Sequence, residues 1–407
     1  MSVDTITRLN SIQPKDFAND FERFEAKEAT RGLLARLETP FERAWALVAE
    51  QPVFVAGLML AKDLGIWSQW ATFEKKNGPG AARQLTDILS MCNSEVESNL
   101  MRRVLRHLAA TFVIEEVDVD TWKPTPFSLG LGDETDNGCS VDHTYRGGLN
   151  LPIFLAKIGY REPVDLTKYD NYTEVYGSPY WERCEKEPAT AESFRAIMTG
   201  LTADKMDWTA VYDTNRLVNG ADLSSPEAPP FFVDVAGLHG MDVMRFLAQQ
   251  PSIPSGVLFV QDLPEVVSVQ AELDKKAAAK GRPRLDSRIT RMNHDFYKPQ
   301  PLVGARAYFL HTVLHDWPDA NCIRILENIT CSMKKGYSKL LLYEVVMPSK
   351  GATTMACTMD MSLMSMNSGM ERTEAHWKQM LESVGLKIVR IARHKRAVES
   401  VIEAELA

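Results

Sequence analysis

The chain has 407 residues, which exceeds the usual size of one domain and makes two domains the default expectation. Its formal net charge of -8 and its pI of 5.6 argue against a broad phosphate-binding face, so nucleic acid is not expected as a partner. The first residues lack the pattern of a signal peptide, and no apolar run approaches the length of a membrane span. We therefore expect a soluble, cytoplasmic protein without a membrane partner.

The six cysteines form no Cys-x-x-Cys pair and do not have the spacing to histidine that a zinc finger requires. This pattern is typical of reduced, mostly buried thiols in a reducing compartment. No metal site is expected.

Residues 1–40 mix acidic and basic side chains around scattered Phe and Leu, which predicts an N-terminal helical arm. From Thr39 to Trp70 the chain is strongly apolar, and the apolar positions recur at helical spacing on more than one face. A helix of this kind needs partners on several sides. An interface between two copies of the chain and an interior helix of one copy fit this pattern equally well.

Residues 84–128 predict two helices followed by a small β-ribbon, which is the arrangement of a winged helix. The second helix carries basic side chains that invite a DNA-binding interpretation; they are Arg102, Arg103, Arg106 and His107. The ribbon carries acidic side chains that would repel phosphate, and the whole chain is acidic. We interpret this module as scaffold and keep DNA binding as a minor alternative.

Aromatic side chains cluster in the region 129–200, at Tyr172, Tyr176, Tyr180 and Trp181. Such a cluster can line a pocket for a planar apolar ligand. Ordinary packing between domains explains it equally well.

The composition changes after residue 201, where short apolar runs alternate with amphipathic segments. This alternation predicts a parallel sheet covered by helices. The predicted strands span 231–235, 256–260, 289–292, 307–310, 339–345 and 386–390.

Polar side chains follow four successive strands of this sheet. Asp234 is followed by Ala236-Gly-Leu-His-Gly240, a turn of small residues that lets backbone approach a nucleotide. Asp262 ends the next strand, where an acid can hold a pair of ribose hydroxyls. Asn293-His-Asp-Phe296 ends the third strand, and His315 follows the fourth. The carboxyl ends of these strands face one crevice, which predicts a nucleotide-type site with a histidine general base.

Three longer motifs resemble a known family. They are Leu310-His-Thr-Val-Leu-His-Asp-Trp-Pro-Asp319, Tyr343-Glu-Val-Val-Met-Pro348, and Gly369-Met-Glu-Arg-Thr-Glu374 followed by Trp377. From about residue 40 to its end, the chain is similar to the S-adenosylmethionine-dependent small-molecule O-methyltransferases, which include plant caffeic-acid enzymes and fungal polyketide-tailoring enzymes. The resemblance implies an α/β Rossmann-like methyltransferase domain with an N-terminal all-helical, winged-helix dimerisation domain, and therefore a homodimer.

On this resemblance we divide the chain into three regions. Residues 1–40 form the helical arm, residues 41–200 a winged-helix-like dimerisation and substrate-lid domain, and residues 201–407 the Rossmann-like domain that binds S-adenosylmethionine.

The resemblance also implies roles for single residues. The cofactor would be bound by Asp234, Gly237, Gly240, Asp262 (ribose), Asp295 and Phe296 (adenine). His315 would be the catalytic base, flanked by Glu344 and Glu371. A neutral histidine can remove the proton of a phenolic or enolic hydroxyl, which is a poor nucleophile until it is ionised. The implied reaction is therefore O-methylation of a small secondary metabolite.

Residues of the substrate pocket are predicted from the aromatic cluster and from a methionine-rich stretch ahead of Glu371. They are Met361, Met364, Asn367, Tyr176 and Trp181. Methionine suits an irregular apolar ligand, although a role in the core is the commoner explanation of such a stretch.

The cofactor loop departs from the family pattern, which has glycine at the alternate positions that are Ala236, Leu238 and Gly240 in this chain. Leu238 would weaken cofactor binding if its side chain pointed at the ligand, and would not if it pointed into the sheet. This departure supports a second interpretation, a methyltransferase-like pericyclase that dehydrates or cyclises its substrate in the same pocket. The intact His-Asp-Trp triplet and both flanking acids favour methyl transfer.

Overall fold

The computed structural model describes residues 2–78, 80–132, 141–163, 169–221, 223, 229–279 and 284–407. The chain divides into two compact units, Met1–Val141 and Asp142–Ala407. The boundary that we predicted at residue 200 therefore lies inside the second unit. One physical reason is that the amide of Asn171 donates to the carbonyl oxygen of Ser365 at 2.7 Å, which ties the region before residue 200 to the end of the chain.

The first unit is mostly helical. Its elements are α1 (Ser2–Ser11), α2 (Asp20–Leu37), α3 (Pro40–Trp45), α4 (Gln51–Asp63), α5 (Ile66–Asn77), β1 (Arg83–Gln84), α6 (Leu85–Met91), α7 (Ser98–Ala110), β2 (Ile114–Asp118), β3 (Thr121–Pro124) and α8 (Pro126–Gly130). Helices α6 and α7 lie between β1 and β2 along the chain, and the three strands form an antiparallel sheet in the order β1-β3-β2. The two helices and the ribbon lie where the sequence predicted them.

Ion pairs link the basic side chains of α7 to the acidic ribbon. Arg102 forms two hydrogen bonds with the carboxylate of Asp120, at 2.7 and 2.8 Å, and Arg106 lies 4.0 Å from Glu116. Both arginines are therefore partly neutralised by the chain's own acids. This pairing weakens the DNA-binding alternative, because a phosphate would have to compete with these acids.

Helices α3 and α4 are joined by a π-helical turn, so Pro40–Asp63 forms one continuous helix. Among the described residues, it is the helix that is long and apolar enough to cross a membrane, with a mean hydropathy of 1.5 and 17% of its apolar window buried. Our expectation that no apolar run approaches that length was wrong. Much of its apolar surface faces outward, at Phe41, Trp45, Leu47, Val48 and Val53.

The second unit consists of helices around a large sheet. Its elements are α9 (Val141–Lys157), α10 (Asn171–Tyr176), α11 (Tyr180–Lys186), α12 (Pro188–Asp204), α13 (Trp208–Val211), α14 (Asn215–Val218), β4 (Phe232–Val235), α15 (Met241–Gln249), β5 (Leu258–Asp262), α16 (Pro264–Ala279), β6 (Ile289–Asn293), β7 (Ala307–His311), α17 (Asp319–Thr330), β8 (Lys339–Glu344), β9 (Val346–Met347), α18 (Thr354–Asn367), β10 (Arg372–Thr373), α19 (Glu374–Ser383), β11 (Leu386–Ala392) and β12 (Ser400–Leu406).

The large sheet has seven strands in the order β11-β12-β8-β7-β4-β5-β6. Strands β4 to β8 are parallel, whereas β12 runs antiparallel to both β8 and β11. All six predicted strands are present, and the α/β Rossmann-like class is confirmed. The strand order reverses between β4 and β7, so the carboxyl ends of these two strands flank a crevice where such sheets bind ligands.

Two hydrophobic clusters cover the two faces of this sheet. Alternate residues of β4 enter opposite clusters, because successive side chains of a strand point to opposite faces. Val233 packs with helices α17 and α19, and Phe232 packs with α13 and α15. The strands are thereby fixed on both faces, which holds the loops at their carboxyl ends in place.

Candidate active site

The segment that follows β7 carries His315 and is held by the end of β8. The N–H groups of Val313 and Leu314 both donate to the Oε1 atom of Glu344, at 3.1 and 2.9 Å. Thr312 has a φ of 50°, which a β-branched residue adopts only when its surroundings impose it. The N–H of Thr312 donates to the carbonyl oxygen of Tyr343 and helps to impose this conformation. The turn therefore places His315 beside the carboxyl end of β8.

Three carboxylates face the buried imidazole of His315. The Nδ1 atom lies 2.9 Å from Glu371 Oε1 and 3.8 Å from Glu344 Oε2, and the Nε2 atom lies 3.8 Å from Asp316 Oδ1. Glu371 fixes the ring orientation, since its distance to Nδ1 is that of a hydrogen bond. The structure thus brings together the three residues predicted to be catalytic and adds a fourth, Asp316.

The charges around His315 change its affinity for a proton. Burial alone would lower the pKa of His315, but Glu344, Glu371 and Asp316 raise it to about 9. Burial raises the pKa of Glu344 to about 7, against the opposing effect of His315. At neutral pH the cluster therefore favours a protonated imidazole.

Arg372 holds the His315 segment from the opposite side, and its side chain is completely buried. Its guanidinium donates to the carbonyl oxygens of Leu314 at 2.9 Å and Trp317 at 2.7 Å, and it binds the carboxylate of Asp319 at 2.9 Å. Because Arg372 follows Glu371 directly, one residue pair supplies both the acid on the imidazole and the anchor of the segment that carries it.

The predicted cofactor loop follows β4 and begins with an unsatisfied acid. Asp234 is buried, and its two carboxylate oxygens accept no hydrogen bond from any residue that the structure describes. Burial raises its pKa, and Asp242 adds to this effect. A Cβ atom on Gly237 would collide with the Asp234 carboxyl group, so glycine is required there. Buried polar groups without a partner are rare in proteins, and this one is suited to a ligand that donates hydrogen bonds.

The two residues that depart from the family's glycine pattern have the backbone conformation that glycine favours. Ala236 has a φ of 59° and Leu238 a φ of 46°. The N–H of Leu238 donates to Asp262 at 3.0 Å, and Arg291 donates to its carbonyl oxygen at 2.9 Å. These two bonds hold the loop in this conformation despite the added side chains. Leu238 is partly exposed and belongs to none of the three hydrophobic clusters formed by the described residues.

The other predicted cofactor residues lie at the expected strand ends. Each oxygen of Asp262 accepts one backbone N–H, from Leu238 and Leu263, and keeps a lone pair for a further donor. Asp295 accepts the N–H of Tyr297 at 2.9 Å, which shapes the turn that presents Phe296. Gly240 begins helix α15 with a φ of 79°.

A buried charged network lies next to this loop. The Nδ1 atom of His311 lies 2.7 Å from Asp242, its Nε2 atom lies 3.7 Å from Glu399, and Lys205 binds Glu399. Burial alone would lower the pKa of His311, but Asp242 and Glu399 raise it to about 10. These acids therefore favour a protonated His311 between α15 and the start of β12.

The predicted pocket residues differ in their surroundings. Trp181 stacks on Trp317 of the His-Asp-Trp triplet, with ring centroids 6.3 Å apart, and Trp317 also contacts Phe296 edge to face at 6.0 Å. The Nδ2 atom of Asn367 donates to Asp316 at 3.0 Å. Trp181 and Asn367 thus contact the His-Asp-Trp triplet, and Trp317 links Trp181 to Phe296.

The other predicted pocket residues are Tyr176, Met361 and Met364. The ring of Tyr176 packs against Tyr172 at 4.3 Å and lies under the guanidinium of Arg183. Met361 is 49% exposed, and Met364 is partly buried on the same helix. Their roles in a substrate pocket remain predictions.

The sequence did not lead us to predict four side chains that the structure places at the site, namely Asp316, Arg372, Asp242 and Arg291. Asp316 belongs to the His-Asp-Trp triplet, and Arg372 directly follows the predicted Glu371, so a motif pointed to both. Asp242 and Arg291 carried no comparable signal, because their partners lie 69 and 53 residues away in the chain.

Known proteins resemble this chain in sequence over most of its length. The family model of the O-methyltransferase domain matches residues 160–387, more than half of the chain. The O-methyltransferase ATR12 of Stachybotrys chlorohalonatus is 37% identical over 412 residues, covering 100% of this chain and 99% of that relative. The O-methyltransferase mfmE of Annulohypoxylon moriforme is 36% identical over 98% of this chain and 95% of its own length.

Three solved structures share the fold at lower identity. LepI in complex with SAM matches with a TM-score of 0.86 and 22% identity over 100% of both chains. OxaC in complex with SAH and oxaline matches with a TM-score of 0.80 and 23% identity over 100% of this chain and 97% of OxaC. A further match, described as a pericyclic reaction enzyme, has a TM-score of 0.85 at 23% identity over 100% of this chain and 99% of its own.

Proposed function

The chain belongs to the O-methyltransferase family, and we propose that it transfers a methyl group from S-adenosylmethionine to a phenolic or enolic hydroxyl of a small secondary metabolite. The observation that carries this proposal is the position of the buried His315. Glu371 orients its ring through a hydrogen bond to Nδ1, and a carboxylate oxygen of Glu344 lies 3.8 Å from the same nitrogen. This leaves Nε2 as the nitrogen that receives the proton of the substrate hydroxyl.

The cofactor loop supports binding of S-adenosylmethionine. The unsatisfied carboxylate of Asp234 suits the cofactor's ammonium group, and the remaining lone pairs of Asp262 suit its ribose hydroxyls. Phe296, which is in edge-to-face contact with Trp317, would contact the adenine. When bound, the cofactor supplies a methyl group that is already activated on a sulfonium centre.

The chain's own residues then have three tasks. Asp234 and Asp262 would hold the cofactor in one orientation, and Trp181, stacked on Trp317 close to His315, would help to exclude water. His315 accepts the hydroxyl proton, and Glu371 stabilises the imidazolium that results.

A second function is favoured by one observation. The three acids around His315 favour its protonated form, and a protonated imidazole can donate a proton to a leaving hydroxyl. A methyltransferase-like enzyme that dehydrates or cyclises its substrate would use His315 in this way. The likeness to a pericyclic reaction enzyme fits this candidate, although at 23% identity it concerns the fold alone.

We also propose that the protein is a cytoplasmic homodimer, in which the winged-helix-like region is scaffold. The exposed apolar side chains of Pro40–Asp63 support this assembly, because a second copy would cover them.

The experiment that tests the proposed function uses S-adenosylmethionine with a deuterated methyl group and a panel of phenols and enolised dicarbonyl compounds. We expect a labelled methyl ether and S-adenosylhomocysteine in equal amounts, measured by mass spectrometry. A converted substrate without label and without S-adenosylhomocysteine would support the second function instead.

A further inference from the structure

The cluster around His315 carries more negative than positive charge. One imidazole faces carboxylates from three different segments, namely Glu344 at the end of β8, Glu371 between α18 and β10, and Asp316 on its own turn. The Oε2 atoms of Glu344 and Glu371 are buried and accept no hydrogen bond from any residue in the described part of the chain. With all three carboxylates ionised, even a protonated His315 leaves an excess of buried negative charge.

The neighbouring cations do not neutralise this excess. The guanidinium of Arg372 is occupied by two carbonyl oxygens and by Asp319. Lys205 binds Glu399 in the adjacent network, and from there it acts on Asp316 only at longer range. Helix α18 contributes a further acid, Asp360, which accepts the N–H of Glu371. A buried acidic cluster of this kind stabilises any positive charge that comes close to it.

We propose that this cluster couples the charge of the methyl donor to the protonation of the base: His315 is protonated in the resting enzyme and releases its proton to solvent when a sulfonium binds nearby. The inference rests on the proposed function. Two positive charges would then compete for the same carboxylates, and only the proton can leave without removing the cofactor.

The proton balance of a full cycle closes under this scheme. His315 loses one proton when the cofactor binds, and its Nε2 atom then takes the proton of the substrate hydroxyl. Transfer of the methyl group forms the new O–C bond, breaks the S–C bond and leaves an uncharged thioether. His315 is again protonated, as in the resting enzyme. The one proton that O-methylation must release thus leaves the enzyme at cofactor binding and not after the chemical step.

Under this scheme the protonation of His315 also differs between the complex with the cofactor and the complex with its product. S-adenosylhomocysteine has no sulfonium charge, so its binding leaves His315 protonated. The base would be neutral only when a methyl group is available for transfer.

Isothermal titration calorimetry of the purified protein tests this coupling without any substrate. S-adenosylmethionine and S-adenosylhomocysteine are each titrated at about pH 7.5 in phosphate and in Tris, which differ in ionisation enthalpy. We expect S-adenosylmethionine to release about one proton more than S-adenosylhomocysteine does. The sulfonium charge lowers the pKa of the ammonium group in free S-adenosylmethionine relative to that in S-adenosylhomocysteine, so each proton count is corrected for the separately measured titration of the free ligand.

Two variants locate the released proton. His315→Gln should abolish the difference, and His394→Gln, which changes an exposed histidine after β11, should leave it unchanged. Equal proton release by both ligands in the wild-type protein would overturn the coupling and leave the proposed function standing. Failure of both ligands to bind would overturn the proposed function itself.

A measurement on the wild-type protein alone guards against a variant that does not fold. After correction for the ammonium titration of each free ligand, the affinity for S-adenosylmethionine relative to S-adenosylhomocysteine should increase between about pH 7 and pH 9, by up to about tenfold per pH unit. A ratio that does not change with pH would contradict the coupling.

Discussion

The Nδ1 atom of His315 lies 2.9 Å from a carboxylate oxygen of Glu371, although 56 residues separate the two along the chain. The hydrogen bond joins the turn after β7 to the segment between α18 and β10, and Arg372 fastens the same two segments together. The orientation of the base therefore depends on tertiary packing around a single buried arginine.

Replacing Glu371 by Gln removes the charge that stabilises the imidazolium and should lower kcat by about 100-fold or more. The pKa of His315 should fall as well, because Glu371 is one of the acids that raise it. The pH dependence of kcat checks both effects. Glu374→Gln, three residues later and exposed, is the matched control and should retain wild-type kcat. Equal activity of the two variants would remove Glu371 from the mechanism.

Stability should fall as pH rises from about 6.5 towards 10, partly because of His311. The pKa of His311 is raised to about 10 in the folded protein, so its contribution is fully present below its unfolded pKa of about 6.5 and is lost as pH approaches the folded value. His315, with a pKa of about 9, acts in the same direction.

The variant His311→Gln isolates the first contribution. Its free energy of unfolding, measured by urea titration between pH 6.5 and 9.5, should depend less steeply on pH than that of the wild type. An unchanged slope would show that His311 is not protonated in the folded protein. Burial lowers the pKa of His294, so His294→Gln should not reduce the slope and serves as the control.

Leu238→Gly should stabilise the cofactor loop and strengthen cofactor binding. Glycine adopts a φ of 46° without steric cost, and relief of this strain should offset its greater flexibility, raising stability by up to about 1 kcal/mol. Loss of the branched side chain should also tighten binding of S-adenosylmethionine, measured by calorimetry. Leu263→Gly, at an exposed leucine with negative φ, should only destabilise. Weaker cofactor binding by Leu238→Gly would mean that the leucine contacts the ligand favourably.

Val48→Arg tests the proposed dimer. Val48 is 74% exposed on the helix Pro40–Asp63, and a charge there could not be buried against a second copy. We expect analytical ultracentrifugation to show a dimer for the wild type and a monomer for this variant. Val303→Arg changes a similarly exposed valine in the second unit and should leave the dimer intact. A wild-type monomer would refute the proposed assembly.

The large sheet could be read from the sequence because apolar strands alternate regularly with amphipathic helices. Strand β12 was missed because Glu403 interrupts its apolar pattern. That carboxylate is buried all the same, since Arg216 and Tyr212 bind it at 2.9 and 3.0 Å and Lys339 binds it as well. A buried acid can be recognised only when its partners are known, and here they come from the end of α13, from α14 and from β8.

Site residues were predictable where a motif carried them and not where tertiary contacts define them. His315, Glu344 and Glu371 stand in recognisable motifs, and the structure brings them together. The effect of Leu238 could not be predicted, because its backbone is held by Asp262 and Arg291 from two neighbouring strands. Residue identity alone left open whether Leu238 weakens cofactor binding, whereas the structure shows hydrogen bonds that hold its backbone.

The most direct test of the central claim compares wild-type protein with His315→Gln in two measurements, affinity for S-adenosylmethionine and formation of S-adenosylhomocysteine with an accepted phenol or enol. We predict that the variant binds the cofactor at least as tightly as the wild type but forms S-adenosylhomocysteine at least about 100-fold more slowly. Formation of S-adenosylhomocysteine at the wild-type rate by His315→Gln would contradict the assignment of His315 as the base.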